Sequence, residues 1–338
     1  MLRTVASPES QMAWRRNGLG TGDLNLIVAK PSTAYNDCTM QQPIIDLGSA
    51  QIYRIEECID TSFLGKSFFP QFKSELLNNL PGWLLPHHYH PDSGALVLSM
   101  HSWIVKTERH TVLIDACIGN DKDRMPRAHW HRRQGDFLHR LAALGFQPSD
   151  IDVVMCTHMH ADHVGWNTVL RDGRWVTTFP KAQYLFSRVE YEHASTYQHP
   201  NPIMQQAFND SVLPVVESGQ ALMIQDGHEV DEMFTVQLAP GHTPGNAMLR
   251  LQTPAQEALF VGDVIHHPIQ VYHPELSTMA CQDPQASRQS RLRMLHHCCE
   301  HHTLMLPAHF AAPHGGFIEE RAAGFGLRWL NEDASSST

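Results

Sequence analysis

Residues 144–166 read LGFQPSDIDVVMCTHMHADHVGW, and this stretch decides how the rest of the chain is interpreted. The apolar run IDVVMC is typical of a buried strand, and a polar turn rich in histidine follows it directly. That turn holds His158, His160, Asp162 and His163 within six residues. Asp162 and His163 are neighbours and must point apart, whereas the two earlier histidines can converge. The spacing therefore predicts two metal ions, and imidazole and carboxylate ligands favour zinc.

Histidine is abundant throughout the chain. The 338 residues include 24 His beside 25 Lys and Arg together, and the formal charge is −10 at neutral pH. Nucleic-acid binding depends on patches of permanently charged Lys and Arg, so this composition argues against nucleic acid and leaves small-molecule substrates open. No apolar run reaches the roughly 18 residues of a membrane span, and the start has no apolar signal core. Seven irregularly spaced cysteines indicate reduced thiols, so we expect a cytoplasmic protein without a membrane partner.

The chain divides by composition into an arm, a domain and a tail. Residues 1–42 are polar and lack a steady period, which predicts an N-terminal arm, and residues 331–338 form a polar tail. Between them, residues 43–330 alternate apolar strand patterns with helical patterns, beginning with an antiparallel run of strands. Residues 62–93 are an aromatic and Pro-rich insertion, which suits a lid or pocket wall, a part of the core, or a dimer contact. Two β-rich halves, each closed by helices, would make an α+β fold of the αβ/βα sandwich type.

The segment 144–166 resembles the helix, strand and metal loop of the metallo-β-lactamase-fold hydrolases, and the resemblance extends over about residues 43–320. It implies a four-layer αβ/βα sandwich with an N-terminal arm and a lid-like insertion. It also implies three later ligands at strand ends, which the chain supplies in LAPGHTPGN (His242), FVGDVIHH (Asp263) and LMLPAHF (His309). Singly, these three are equally well a turn histidine, a helix cap and a buried imidazole; in order and together they match the family.

The resemblance implies two zinc ions per chain, with Mn, Fe or Co as other divalent choices. One ion would be held by His158, His160 and His242, the other by Asp162, His163 and His309, with Asp263 bridging. The chain departs from the family pattern at positions that are not ligands: Gly165 and Trp166 stand where two glycines are frequent, and Asn246 stands where a His is frequent. Asp115, in DACIGN, is expected to support a ligand rather than to be one.

Within the family, the motifs are most similar to quorum-quenching lactonases, pyridoxolactonase-like enzymes and methyl parathion hydrolase-like enzymes. This implies a dinuclear zinc hydrolase that uses a metal-bridging hydroxide on a lactone, a carboxylic ester or an activated phosphotriester with a hydrophobic substituent. Asp162 would also guide a proton to the leaving group. His266 stands three residues after Asp263, where such lactonases often have a substrate-binding Tyr, and could act as donor or general acid. Packing is the alternative for His266 and for its neighbour His267.

Two other functions remain open at this point. A glyoxalase II-like thioesterase would use the same ligands but usually adds a basic tail, and a fold member could bind metal or ligand without turnover. A class B β-lactamase would lack Asp263, and a diiron enzyme would be expected to replace His160 with Glu. The arm and the insertion predict a homodimer.

The remaining histidine clusters have no firm role in the sequence. His87, His88 and His90 could overhang the site or lie on the surface. Residues 296–302 could form an adventitious metal site or a solvent-facing helix end, with His297 paired to His301 and Cys298 paired to His302 by the helical spacing.

Overall fold

The structure is a computed structural model that describes residues 44–78, 80–322 and 324–330. The predicted arm at residues 1–42 and the predicted tail at residues 331–338 lie outside the described residues. The strands are β1 Ile45–Asp46, β2 Ala50–Asp60, β3 Tyr89–His90, β4 Ala95–Leu96, β5 Leu98–Thr107, β6 Thr111–Ile114, β7 Val153–Met155, β8 Thr168–Arg171, β9 Arg174–Thr177, β10 Gln183–Ser187, β11 Ala221–Ile224, β12 Phe234–Leu238, β13 Ala247–Gln252, β14 Glu257–Gly262, β15 Leu304–Pro307, β16 Gly316–Arg321 and β17 Gly324–Trp329.

Helices connect and cover these strands. The α-helices are α1 Gly65–Phe68, α2 Phe137–Ala143, α3 Ala161–Val164, α4 Arg188–Thr196, α5 Pro202–Ala207, α6 Leu213–Glu217, α7 Ile269–Tyr272 and α8 Pro284–Glu300. Single 3₁₀ turns occupy Ser74–Leu77, Gly82–Leu84, Pro148–Asp150 and Gly165–Asn167, and a π-helical turn spans Phe208–Val212. Within the described ranges, none of these helices is both long and apolar enough to cross a lipid bilayer.

The strands form two large sheets. The first has the order β1-β2-β5-β6-β7-β10-β11, and the second runs consecutively from β12 to β17. In the first sheet the pairings from β1 to β6 are antiparallel, whereas β6, β7, β10 and β11 pair in parallel. The predicted antiparallel start is confirmed. A parallel pairing requires a crossover connection, and helical segments supply it on either side of β7 and β10.

Apolar side chains from the two sheets meet in the centre of the molecule. Trp103 of β5 contacts Phe260 of β14, with ring centroids 6.2 Å apart, and both are buried. The outer face of the first sheet packs with α2 and α5, and that of the second packs with α7 and α8. Each sheet thus buries one face against the other sheet and one face against helices, which gives the predicted four-layer αβ/βα sandwich.

Local sequence explains where the longest helix begins. The Asp283 carboxylate accepts hydrogen bonds from the amides of Gln285 and Ala286, and Pro284 occupies the first helical position, where its missing N–H costs nothing. The helix ends at Glu300, close to the end of the pattern that predicts it.

The insertion at residues 62–93 folds into short helical turns that contribute both to the core and to a cavity wall. Phe69, Phe72 and Leu84 are buried in the main apolar cluster. Phe63 and Phe68 line a cavity that reaches the histidines of the predicted metal site. Two of the interpretations, core and pocket wall, therefore apply to different residues of the same segment.

Two hairpins were not predicted from the sequence. The β8–β9 hairpin turns at Asp172 and Gly173, which both have positive φ angles, as the DG dipeptide favours. The β16–β17 hairpin extends the second sheet, and the whole of the sequence GFGLRW forms its last strand.

Several histidines are structural. His88 is 1% exposed and stacks on Trp329, with ring centroids 5.2 Å apart. Burial lowers the pKa of His88 to about 3, of His267 to about 4 and of His314 to about 3. His87 and His90 are exposed, so the surface interpretation holds for them and is wrong for His88.

Replacing His88 with Phe is expected to reduce the acid sensitivity of the fold. His88 stays neutral in the folded protein but takes up a proton in the unfolded chain below about pH 6.5, so acid favours unfolding. Its Nδ1 has no hydrogen-bond partner among the described residues, so a Phe ring would leave no group unsatisfied there. Between pH 6 and pH 5, denaturant unfolding should show that the wild type loses about 1 kcal/mol more stability than the variant. The exposed neighbour His87→Phe serves as the control, and an equal loss in His88→Phe and wild type would refute the expectation.

Candidate metal centre

The predicted metal-binding residues come from the ends of strands in both sheets. His158, His160 and the residues of α3 follow β7 of the first sheet. His242 lies between β12 and β13, Asp263 directly follows β14, and His309 lies two residues beyond β15. All seven predicted ligand residues therefore meet at one edge of the sandwich.

The seven residues form two groups. In each group the candidate ligand atoms lie within 4.8 Å of one another. The first group contains His158, His160, His242 and Asp263, and the second contains Asp162, His163 and His309. The division is the one implied by the family resemblance.

Asp263 lies between the two groups and presents a different oxygen to each. Oδ2 lies 3.1 Å from Nε2 of His242 and 3.6 Å from Nε2 of His158. Oδ1 lies 3.3 Å from Nε2 of His163 and 3.0 Å from Nε2 of His309. One carboxylate thus contacts both groups, as a bridging ligand must.

The ligand atoms are arranged to bind two cations rather than to form hydrogen bonds with one another. Nδ1 of His160 lies 2.9 Å from Nε2 of His242, and Nε2 of His163 lies 3.2 Å from Nε2 of His309. Two imidazole nitrogens at this distance need a proton or a cation between them. Nε2 of His158 is buried without a hydrogen-bond partner in the described part of the chain, which is costly unless a cation is bound. Imidazole nitrogen and carboxylate oxygen are the atoms that zinc prefers.

Electrostatics at the site follow from burial and from Asp263. Burial lowers the pKa values of His158 and His160 well below the usual value, so both rings are neutral and able to bind metal. Burial also opposes a charge on His242, but the Asp263 carboxylate outweighs it and raises the pKa of His242 to about 10. The Asp263 carboxylate therefore favours a positive charge, from a proton or a metal ion, among the residues of the first group.

The second nitrogen of several rings is held by a neighbouring group. Nδ1 of His163 lies 2.8 Å from Oδ2 of Asp115, and Nδ1 of His309 donates to the Ser99 carbonyl at 3.1 Å. Nδ1 of His242 lies 3.6 Å from Sγ of Cys281. Such contacts fix the tautomer and direct Nε2 towards the metal position.

Asp115 has the supporting position expected of it. Its Oδ1 accepts a hydrogen bond from the Thr157 amide at 2.8 Å, while Oδ2 holds His163. Asp115 itself has a φ angle of 57°, which Asp and Asn tolerate better than most residues. One side chain thus anchors both the start and the end of the loop at 157–163.

Two buried glutamates that the sequence analysis did not identify also hold the site. Oε1 of Glu190 accepts from the Met159 amide at 3.1 Å, and Oε2 accepts from the Gly245 amide at 3.0 Å. Glu190 therefore ties together the loop carrying His158 and the loop carrying His242. A Cβ atom on Gly245 would lie 2.3 Å from the Glu190 nitrogen, which explains the second glycine of GHTPG.

Glu57 performs a similar role for the loop after β6. It accepts hydrogen bonds from the Ile118 amide at 2.8 Å and from Nε1 of Trp166 at 2.8 Å. Trp166, which departs from the family pattern, thus helps to hold Glu57 in place. A Cβ atom on Gly165 would lie 1.9 Å from the Ile118 carbonyl oxygen, so the chain keeps a glycine where the two loops touch.

His266 and His267 differ in their surroundings. Nε2 of His266 lies 3.0 Å from Oδ2 of Asp263, and its ring lines the cavity beside Phe68. Burial lowers the pKa of His266 to about 4. His267 instead points away to the His88 carbonyl, at 2.7 Å, and is a packing residue.

The histidine-rich end of α8 does not form a metal site among the described residues. His297 contacts Glu257, with Nε2 and Oε1 2.6 Å apart, and its ring lies 4.6 Å from that of His301. Cys298 is fully buried and faces Met294, so it does not pair with His302. The interpretation as a helix end is the better one.

A cavity of about 530 Å³, counting the part open to solvent, leads from the surface to the metal-binding residues. One side of it is apolar and aromatic, and the other is formed by the predicted ligands. The apolar lining residues are Phe63, Phe68, Leu98, Met100, Trp130, Met204 and Ala280. The cavity can therefore hold a small molecule with an apolar part against a polar, metal-binding floor.

Curated relatives are similar over part of the chain. The N-acyl homoserine lactonase AttM of Rhizobium radiobacter is 28% identical over 153 residues, covering 40% of this chain and 53% of AttM. The N-acyl homoserine lactonase of Bacillus cereus is 26% identical over 178 residues, covering 47% of this chain and 61% of the relative. The alignments thus span about half the length of the curated relatives.

Solved structures are similar over most of the chain. The hydrolase AbOPH of the beta lactamase superfamily superposes with a TM-score of 0.71 at 20% identity, covering 86% of this chain and 97% of AbOPH. The dizinc quorum-quenching lactonase AidC, solved with a product, superposes with a TM-score of 0.70 at 23% identity, covering 86% and 96%. At these identities the likeness establishes the fold.

The family match rests on sequence rather than on shape. The model of the metallo-beta-lactamase superfamily matches residues 96–296, more than half of the chain. That range contains β7 with its histidine loop, the turn carrying His242, and Asp263. Together with the four-layer fold, the match places this chain in the metallo-beta-lactamase superfamily.

Proposed function

We propose that this protein is a dinuclear metal-dependent hydrolase of lactones and carboxylic esters with an apolar substituent. The observation that carries the proposal is the position of Asp263, whose two oxygens face two separate groups of histidines. The named activities of AttM and of the Bacillus relatives support lactones in particular. Zinc is the proposed metal, supported by the nitrogen and oxygen donors and by the dizinc centre of AidC.

The proposed ligands are the seven residues at the edge of the sandwich. His158, His160 and His242 would hold one ion, Asp162, His163 and His309 the other, and Asp263 would contact both. Bound there, two divalent ions would supply an activated water molecule and a Lewis acid for the substrate oxygen.

Other residues of the chain would guide the substrate and its proton. The Asp162 carboxylate lines the cavity, with Oδ2 3.7 Å from Nε2 of His309, and is the proposed group that passes a proton to the leaving group. His266 also lines the cavity, and its Nδ1 has no hydrogen-bond partner among the described residues. We propose that His266 orients the substrate oxygen. The aromatic wall beside it would hold an acyl or aryl substituent and exclude water.

Hydrolysis by the purified, zinc-loaded protein tests the proposal. The assay compares N-hexanoyl homoserine lactone and an aryl ester with a phosphotriester, a thioester and a β-lactam. We expect the lactone and the ester to be hydrolysed, and His160→Ala to lose more than about 100-fold in kcat/KM because the ring contributes to the first group directly. His139→Ala, an exposed histidine on α2, is the matched control. Turnover of the thioester alone, or full activity in His160→Ala, would overturn the proposal.

We also propose that the protein is a homodimer and that it is located in the cytoplasm. Leu64, Met125 and Met279 are large apolar residues that are 47%, 48% and 68% exposed, and in the sequence each lies within two residues of one that lines the cavity. Free thiols at all six described cysteines support a reducing compartment. Light scattering of the purified protein would show twice the chain mass if a dimer forms, and the chain mass if it does not.

A further inference from the structure

Arg127 lines the cavity that leads to the metal-binding residues, and aromatic rings hold it there. Its guanidinium carbon lies 4.3 Å from the centroid of the Phe63 ring and 4.7 Å from that of the Trp130 ring. A guanidinium packed on aromatic faces keeps its N–H groups, which lie at the edge of the group, available for another partner.

The aromatic support of Arg127 is itself fixed by a buried carboxylate. Nε1 of Trp130 donates to Oδ2 of Asp60 at 2.9 Å, and the Asp60 side chain is 2% exposed. Asp60 also receives hydrogen bonds from the Ser62 amide and from Nε2 of His129, both at 2.8 Å. The Asp60 carboxylate therefore accepts hydrogen bonds from three groups. One of the three donors is the Trp130 indole, so the Trp130 ring is held in one orientation.

Arg127 differs from two cations that precede it in the same loop. Arg124, three residues earlier, is buried and makes two hydrogen bonds to the Asp210 carboxylate, at 2.6 and 2.8 Å. Lys122 also lies close to Asp210, with Nζ and Oδ1 3.5 Å apart. Within residues 44–78, 80–322 and 324–330, no ion pair and no side-chain hydrogen bond is formed by the Arg127 guanidinium.

The cavity offers Arg127 no counter-charge of its own. The acidic residues that line it are Asp162 and Asp263, and both carboxylates face the imidazole groups. Apolar and aromatic walls beside a cation lower the local dielectric, which strengthens its attraction for an anion that enters. A planar guanidinium binds a carboxylate through two parallel hydrogen bonds.

We propose that Arg127 is a specificity-determining residue that binds a carboxylate on the substrate, remote from the bond that is hydrolysed. This inference rests on the proposed hydrolase function and narrows its substrate class to esters or lactones that carry a negatively charged group beyond an apolar spacer. The floor of the cavity holds the reacting carbonyl, the aromatic wall holds the spacer, and Arg127 holds the anionic end.

Two esters of the same acyl length test this inference on the zinc-loaded protein. The 4-nitrophenyl monoester of glutaric acid ends in a carboxylate, and 4-nitrophenyl pentanoate ends in a methyl group. Charge-assisted hydrogen bonds lead us to expect kcat/KM to be 10- to 100-fold higher for the glutarate ester. Arg127→Gln should remove this preference by raising KM for the glutarate ester alone, and Arg127→Lys should keep part of it. Arg188→Gln, an exposed arginine at the start of α4, removes the same charge away from the cavity.

The outcomes separate this inference from the proposed function. If both esters are hydrolysed and Arg127→Gln affects them equally or not at all, the carboxylate site is refuted and the hydrolase stands. If neither ester nor lactone is hydrolysed, the proposed function fails. Binding of glutarate then tests whether Arg127 forms a carboxylate site. Binding is then followed by isothermal titration calorimetry of glutarate into the wild type, Arg127→Gln and Arg188→Gln. Weaker binding in Arg127→Gln supports the site, and equal binding in variant and wild type overturns it.

Discussion

Asp263→Asn is expected to lower kcat/KM for lactone or ester hydrolysis by more than about 100-fold, because loss of a group that merely supports a metal ligand costs 10- to 100-fold. The Asn side chain is nearly the same size as Asp, so the packing after β14 is preserved. It loses the negative charge, however, and offers one oxygen where Asp offers two. An NH₂ group would then face either His158 and His242 or His163 and His309. Metal analysis of the variant should therefore show fewer than two ions per chain.

A conservative control distinguishes the bridge from a general effect of the substitution. Asp172 lies at the turn of the β8–β9 hairpin with a φ angle of 50°, a conformation that Asn adopts equally well. Asp172→Asn should keep full activity and metal content. Wild-type activity and two bound ions in Asp263→Asn would show that the carboxylate does not bridge.

Asp115→Asn should weaken metal binding by 10- to 100-fold while leaving the fold intact. The Asn oxygen can accept the hydrogen bond of the Thr157 amide, which now goes to Oδ1 of Asp115 at 2.8 Å. Its NH₂ group would then face Nδ1 of His163, which must accept rather than donate. The proton of that ring would move to Nε2, the nitrogen that faces Asp263 and His309, and block it as a ligand.

Competition with a chelator measures this effect, and thermal unfolding checks the fold. The positive φ angle of Asp115 is tolerated by Asn, so the unfolding temperature of the metal-free protein should change little. Asp152→Asn is the matched control, since its carboxylate accepts from the Thr111 amide at 2.8 Å just before β7. If Asp115→Asn binds metal as tightly as the wild type does, Asp115 does not set the tautomer of His163.

The residues of the candidate site could be predicted from sequence because most of their information is local. His158, His160, Asp162 and His163 lie in one turn, and their spacing limits which side chains converge. His242, Asp263 and His309 are implied by the family resemblance, and the structure brings all three to the same place.

The supporting glutamates could not be predicted in this way. Glu57 and Glu190 bind backbone amides of residues 61 and 31 positions away, and an amide carries no residue type that a sequence pattern could reveal. A glycine at 245 was the nearest signal, because its missing Cβ makes room for Glu190. The burial of His88 could not be predicted for a related reason: it depends on Trp329 in β17, a strand that the local sequence pattern does not reveal.

The parallel pairing of β7 with β6 and β10 also could not be predicted from local sequence patterns. Each of these strands is short and apolar, and its neighbours are set by crossovers of tens of residues. Such pairings follow from the packing of helices on both faces rather than from periodicity.

Anomalous diffraction from crystals of the zinc-loaded protein, recorded on both sides of the zinc absorption edge, tests the central claim most directly. We expect two peaks per chain, one between His158, His160 and His242 and the other between Asp162, His163 and His309, on either side of the Asp263 carboxylate. A single peak at full zinc loading, or zinc bound instead at His297 and His301, would contradict a dinuclear centre bridged by Asp263.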